Sequence, residues 1–131
     1  ILMGVVGSEM CIRDRPQTFL CLLEDENADP LDPEEYSRFL EELKHCTNLL
    51  YITDNCGEIV LDKLAVKVLK EQYPNIHITV LVRGFPTVND ATMEDAAETG
   101  MTSVAEVVGN GSNVCGTWLS GISEEARELL N

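Results

Sequence analysis

The chain has 131 residues, 44% of them hydrophobic, and a formal charge of −14 from nine Lys and Arg against 23 Asp and Glu. This length predicts a single domain or part of one, and nucleic acid is excluded as a partner because its recognition depends on clustered basic side chains. No apolar run reaches the roughly 18 residues of a membrane span, so we expect a cytoplasmic protein with no membrane partner. The five cysteines form no C-x-x-C pair, which argues against a disulfide framework or a zinc site.

The two ends of the chain differ from its centre. Residues 1–16, ILMGVVGSEMCIRDRP, do not share the pattern of the rest and look like translated sequencing-adaptor DNA. We interpret them as a non-native leader and residues 17–131 as a partial α/β domain. At the other end, SEEARELLN predicts a helix with Ser123 as its N-cap and no C-terminal cap. We therefore expect an excerpt of a longer protein.

The first predicted elements are a helix and a short strand. Asp32 is the expected N-cap, with Pro33 at the first helical position and Glu35 at the third, where it completes a capping box. Four apolar residues then recur at i, i+3, i+4 and i+7 and predict one buried face; they are Tyr36, Phe39, Leu40 and Leu43. The apolar segment NLLYIT, residues 48–53, predicts a strand.

A second helix and strand follow. Residues 57–72 carry apolar side chains at helical spacing, which predicts a buried face made of Val60, Leu61, Leu64, Ala65, Val68 and Leu69. Lys63, Lys67 and Lys70 are expected on the solvent side. Residues 76–82, IHITVLV, are nearly all apolar and rich in β-branched side chains, as is typical of a strand buried on both faces of a parallel sheet.

The last elements complete an alternating pattern. Thr92 is the expected N-cap of a third helix, with Asp95 at its third position and Gly100 at its end. SVAEVVG, residues 103–109, predicts a third strand, which a glycine-rich loop joins to the final helix. This order favours an α/β fold with three α/β/α layers around a mainly parallel, Rossmann-like sheet, represented here incompletely.

Polar residues cluster where the predicted strands end. The carboxyl ends of parallel strands share one edge of the sheet, so the loops that leave them converge there. The residues concerned are Asp54 and Asn55 after the first strand, Arg83, Gly84, Asn89 and Asp90 after the second, and the segment 109–116 after the third.

The residue types at this edge suit phosphoryl transfer. Asp54, Asn55 and Asp90 offer the hard oxygen ligands that Mg²⁺ and Mn²⁺ prefer. The amides at the two helix starts, those of Gly57, Glu58, Met93 and Glu94, are candidate anion donors, and Arg83 is a candidate phosphate clamp. Local roles fit equally well, with Asp54 and Asn55 capping the following helix and Asp90 holding a turn.

Three ordered motifs resemble a known family. ITDNCGEIVLDKL, VLVRGFPTVNDATMEDA and VVGNGSNVCGTWLS are similar, over about residues 49–130, to the damage-control phosphatases, also called the ARMT-like metal-binding domain, and most of all to their microbial branch. The resemblance implies an α/β/α phosphatase of small phosphorylated metabolites, such as sugar phosphates or damaged phosphometabolites. It implies a divalent cofactor, Mn²⁺, Mg²⁺, Co²⁺ or Ni²⁺.

The resemblance also implies roles for individual residues. Asp54, Asn55 and Asp90 are the expected metal and catalytic residues, and the expected substrate contacts are Arg83, Gly84, Glu58, Asn89 and Thr92. Asn113 stands where an Asp is more usual, and the family's N-terminal helical region and a later Lys-Gly-rich loop are not represented intact, so we expect weak catalysis from this chain alone.

Two alternative functions remain. One branch of the family was described as a carboxyl methyltransferase using S-adenosylmethionine, but the first strand is not followed by G-x-G-x-x-G. The other alternative is a non-catalytic metal-binding fragment.

Overall fold

The computed structural model describes residues 32–130. The adaptor-like leader of residues 1–16 and the predicted domain start at residue 17 lie outside that range. The chain divides into two units between residues 41 and 42, and the sheet and the candidate site belong entirely to the second. Within the described range, no helix combines the length and apolar character needed to cross a membrane.

Helix α1 spans Pro33–His45. Its predicted N-cap is confirmed, because Asp32 Oδ1 accepts hydrogen bonds from the backbone N–H groups of Glu34 at 2.8 Å and Glu35 at 3.4 Å. Leu43 is buried as expected, whereas Tyr36, predicted on the same face, is 48% exposed. The apolar spacing therefore identified the helix correctly but not the full extent of its buried face.

Three strands form one parallel sheet in the order β1-β2-β3. They are β1 (Asn48–Ile52), β2 (His77–Val82) and β3 (Glu106–Gly109). Residues 78–82 of the central strand are all buried, as the sequence predicted for a strand covered on both faces. The carboxyl ends of the three strands consequently lie at one edge, where the candidate residues leave the sheet.

Helices cover the two faces of this sheet. Helix α2 (Ile59–Gln72) joins β1 to β2, and helix α3 (Met93–Glu98) with a 3₁₀ turn joins β2 to β3. Because parallel crossovers are right-handed as a rule, the strand order β1-β2-β3 puts both connections on one face. On the other face, Leu81 packs against Ile122 and against Ala126 of helix α4 (Glu124–Glu128). The predicted α/β/α layering and parallel sheet are confirmed.

The buried face predicted for α2 is wrong. Val60, Leu64 and Val68 are at least half exposed, while Ile59 and Val66 are completely buried. Apolar residues surround most of this helix, so spacing alone did not select the inward side. Polar residues on that side find partners: Lys63, predicted to face solvent, donates from Nζ to the Thr99 carbonyl at 2.8 Å.

Candidate active site

The loops that leave β1 and β2 are hydrogen-bonded to each other. Ala91 N–H donates to the Asp54 carbonyl at 2.8 Å, and Cys56 N–H donates to the Asn89 carbonyl at 2.8 Å. Asn55 and Asp90 thereby form an isolated antiparallel bridge. Bridged residues of this kind point their Cβ atoms to the same side, about 4.5–5.5 Å apart. The structure thus brings the turn that contains Asp54 and Asn55 against the loop that contains Asp90.

Asp90 is paired with a buried arginine. Arg83 Nη2 and Nε lie 2.6 Å and 2.7 Å from Asp90 Oδ2, and the two side chains are only 3% and 10% exposed. Gly116 N–H donates to the same oxygen at 3.2 Å. Within residues 32–130, both hydrogen bonds to this carboxylate and the ion-pair contact from Arg83 Nη2 fall on Oδ2. Oδ1 is therefore the oxygen that a cation would take.

The rest of the Arg83 guanidinium binds the glycine-rich loop. Nη1 donates to the Gly116 carbonyl and lies 3.4 Å from Thr117 Oγ1. Arg83 consequently connects the loops after β2 and β3 and fixes the orientation of Asp90. Its predicted contact with a phosphate remains a prediction, since the structure places the group against protein oxygens.

Asn55 stabilises a local turn and is also a candidate metal ligand. It is 4% exposed, and its Oδ1 accepts from Gly57 N–H at 2.6 Å. This turn delays the start of α2 to Ile59, two residues after the predicted start. The Nδ2 group is buried without a partner in the described part of the chain. Because Oδ1 has a second lone pair, the turn and a metal contact are compatible.

Three of the other four predicted substrate contacts have structural roles here. Gly84 N–H donates to Asn110 Oδ1 at 2.9 Å, and the Asn89 carbonyl accepts from the β1 loop. Thr92 is the N-cap of α3, and the predicted capping box with Asp95 is confirmed. Glu58 immediately precedes α2 and makes no side-chain cap there. The structure leaves the substrate roles of these residues as predictions.

A tyrosine–aspartate pair beside Asp54 was missed. Tyr51 Oη donates to Asp62 Oδ1 at 2.7 Å. Burial raises the pKa of the Asp62 carboxyl; the hydrogen bond from Tyr51 opposes that rise, and the negative charge of Asp54 adds to it. The pKa of Tyr51 is raised far above its usual value, mainly by burial and secondarily by its hydrogen bond to Asp62. The sequence clue was that Asp62 shares an α2 face with Ile59 and Val66.

Replacing Asp62 with Asn is expected to increase the free energy of unfolding at neutral pH. The folded-state pKa of Asp62 is raised above its ordinary value of 3.8, so its protonated form is favoured by folding. That stabilising contribution is complete below the ordinary pKa and is lost as the pH rises through the folded-state value. Asparagine keeps an acceptor for Tyr51 and never ionises.

Urea unfolding of wild type and Asp62→Asn between about pH 3 and pH 8 measures this difference. We expect the two proteins to have similar stability at the acid end and to diverge as the pH rises. The exposed Glu98→Gln change controls for loss of one negative charge. A difference between Asp62→Asn and wild type that stays constant over the whole range would contradict the assignment.

The donor atoms fit a small, hard cation. Within residues 32–130, no three His, Cys, Asp or Glu side chains are grouped to hold a metal ion. The sequence-predicted set consists of two carboxylates, Asp54 and Asp90, and the carboxamide oxygen of Asn55, on two loops that are hydrogen-bonded to each other. Mg²⁺ and similar ions commonly take one or two carboxylates from the protein and complete their shell with water and substrate phosphate. The chemical types of these three side chains suit such an ion.

Comparison with known proteins identifies the family. Residues 16–131 match the model of the damage-control phosphatase ARMT1-like domain. Over 103 residues the chain is 32% identical to damage-control phosphatase PH1575 of Pyrococcus horikoshii, covering 79% of this chain and 36% of that protein. A damage-control phosphatase of Archaeoglobus fulgidus is 36% identical over 83 residues, covering 63% of this chain and 28% of the relative.

The fold agrees with that match. The crystal structure of the DUF89 family protein PH1575 superposes with a TM-score of 0.68 at 32% identity, covering 72% of this chain and 33% of that one. The chain spans about one third of the length of these relatives. It belongs to the damage-control phosphatase ARMT1-like family.

Proposed function

We propose that the full-length polypeptide is a divalent-cation-dependent phosphatase that hydrolyses small phosphorylated metabolites. This chain would supply the metal-binding part of its active site. The observation that carries the proposal is the direct hydrogen bonding of the Asp54–Asn55 turn to the loop bearing Asp90, whose carboxylate is held by buried Arg83. The names of the relatives from P. horikoshii and A. fulgidus support phosphatase chemistry.

Asp54, Asn55 and Asp90 would hold the ion, Mn²⁺, Mg²⁺, Co²⁺ or Ni²⁺, which when bound polarises a phosphoryl oxygen and neutralises its charge. Arg83 holds Asp90 through Oδ2, so Oδ1 keeps one orientation. The guanidinium also keeps a positive charge beside the site. Either water or the exposed Asp54 carboxylate would attack phosphorus as the bond to the ester oxygen breaks and the alcohol leaves. In the Asp54 route, water would then hydrolyse the phosphoaspartate to release phosphate and restore the carboxylate. Such a site works mainly by positioning and charge neutralisation.

A phosphate-release assay on the full-length protein tests this function. A panel of sugar phosphates and other phosphomonoesters is incubated with each of the four cations, with EDTA, and with EDTA followed by excess cation. We expect release that requires cation and returns when cation is restored. Full release in EDTA would contradict the cation dependence, and no release from any ester under any condition would contradict the phosphatase assignment.

A further inference from the structure

Asn110 lies where the loops after β2 and β3 meet. It follows β3 directly and is completely buried. Its backbone N–H donates to the Val82 carbonyl at 2.8 Å, and its carbonyl accepts from Ser123 N–H at 2.9 Å. Any residue would make these backbone bonds, so they do not explain an asparagine at this position.

The side chain makes the contacts that require asparagine. Its Oδ1 accepts from Gly84 N–H and from Ser112 N–H, each at 2.9 Å. The two lone pairs of a carboxamide oxygen satisfy both amides. These donors also fix the orientation of the carboxamide, because an NH₂ group in the same place would face two N–H groups. One oxygen atom therefore joins the loop after β2 to the glycine-rich loop.

The two loops touch through their backbones. A Cβ at Gly84 would lie 2.6 Å from the Cα and N atoms of Gly111. Gly111 has a φ of +70°, and a Cβ there would lie 2.8 Å from Ser123 Cβ. Both positions consequently need glycine, and the bonds to Asn110 hold this close approach in register.

The other half of the carboxamide is unsatisfied. Asn110 Nδ2 is buried and has no hydrogen-bond partner within the described residues. An unpaired buried donor lowers stability, but an apolar residue here would leave two amides unsatisfied instead. The asparagine thus retains the inter-loop connection in spite of a buried donor without a partner.

We propose that Asn110 is a positioning residue: by holding Gly84 and Ser112 together, it keeps Arg83 enclosed between Asp90 and the glycine-rich loop. Arg83 is the residue immediately before Gly84, and its guanidinium bonds Asp90 on one side and Gly116 on the other. Loosening the connection would therefore expose Arg83 and release Asp90. The consequence for substrate rests on the proposed function, whereas the consequence for Arg83 does not.

Chemical labelling of Arg83 tests the proposal in the full-length protein. Phenylglyoxal adducts are measured by mass spectrometry, with Arg38, whose side chain is 70% exposed, as the internal reference. We expect Asn110→Ala to increase labelling of Arg83 about tenfold through local opening. Val66→Ala removes a completely buried side chain of α2, which lies outside these loops in sequence, and controls for a general loss of stability.

The kinetic readout accompanies the labelling. If the phosphatase function holds, Asn110→Ala should lower kcat about tenfold at saturating cation, because Asp90 loses its fixed orientation, while Val66→Ala changes kcat by less than about threefold. Equal Arg83 labelling in Asn110→Ala and Val66→Ala would overturn the proposal. If Asn110→Ala does not fold, amide hydrogen exchange is measured in Asn110→Ser, whose shorter side chain cannot reach both amides. Faster exchange of the Gly84 N–H than in wild type supports the proposal, and an unchanged rate overturns it. If Asn110→Ala increases Arg83 labelling but the wild-type protein releases no phosphate, the result contradicts the proposed function and not the role of Asn110.

Discussion

Replacing Asp90 with Asn is expected to lower the free energy of unfolding by about 3 kcal/mol or more. Arg83 is 3% exposed and stays charged, so the substitution leaves a buried guanidinium without its counter-charge. Removing one partner of a buried pair costs far more than losing a surface ion pair. Urea unfolding at neutral pH measures the loss. The same variant should also be defective in cation binding.

Two comparisons isolate the buried pair as the cause. Glu98→Gln removes an exposed carboxylate and should change stability by less than about 0.5 kcal/mol. The double variant Arg83→Met/Asp90→Asn removes both charges and should recover part of the stability lost in Asp90→Asn, because no uncompensated charge remains. A loss below about 1 kcal/mol in Asp90→Asn, or no recovery in the double variant, would show that the pair is not held as the structure describes.

Asp54→Ala is expected to lower phosphatase activity without lowering stability. The Asp54 side chain is exposed and accepts no hydrogen bond in the described part of the chain, so stability should change by less than about 0.5 kcal/mol. Phosphate release by the full-length protein should fall by about 100-fold or more, as expected when a group that stabilises transition-state charge is removed. Steady-state kinetics with a phosphomonoester and saturating Mn²⁺ measure the fall. Wild-type rates in Asp54→Ala would end the assignment of Asp54 to the site.

Much of the fold could be predicted because its determinants are local. Runs of β-branched and apolar residues identified all three strands, and Asp32, Thr92 and Ser123 marked helix starts through side chains that accept backbone N–H bonds. The buried face of α2 was not predictable in the same way. Its inward side includes Lys63 and Asp62, and only the tertiary structure supplies their partners, Thr99 and Tyr51.

The candidate site was predictable at the level of topology. Parallel strands necessarily bring their carboxyl-end loops to one edge, and this brought Asn55 and Asp90 into register. The directions of the side chains depend instead on the backbone conformation of the loops, which residue patterns do not predict. Val88 has a φ of +50° in the turn closed by the Asp90 N–H bond to the Thr87 carbonyl. A β-branched residue rarely adopts that conformation, so neither the turn nor the burial of Arg83 against Asp90 could be expected.

We propose that the turn after β1 and the loop after β2 jointly hold one divalent cation. Titration of Mn²⁺ into full-length wild type and Asp54→Ala, followed by calorimetry, tests it without depending on any substrate. We predict one site in the wild type whose affinity falls by about 100-fold in Asp54→Ala, while the free energy of unfolding without cation stays the same. Equal Mn²⁺ affinity in the two proteins would contradict the claim.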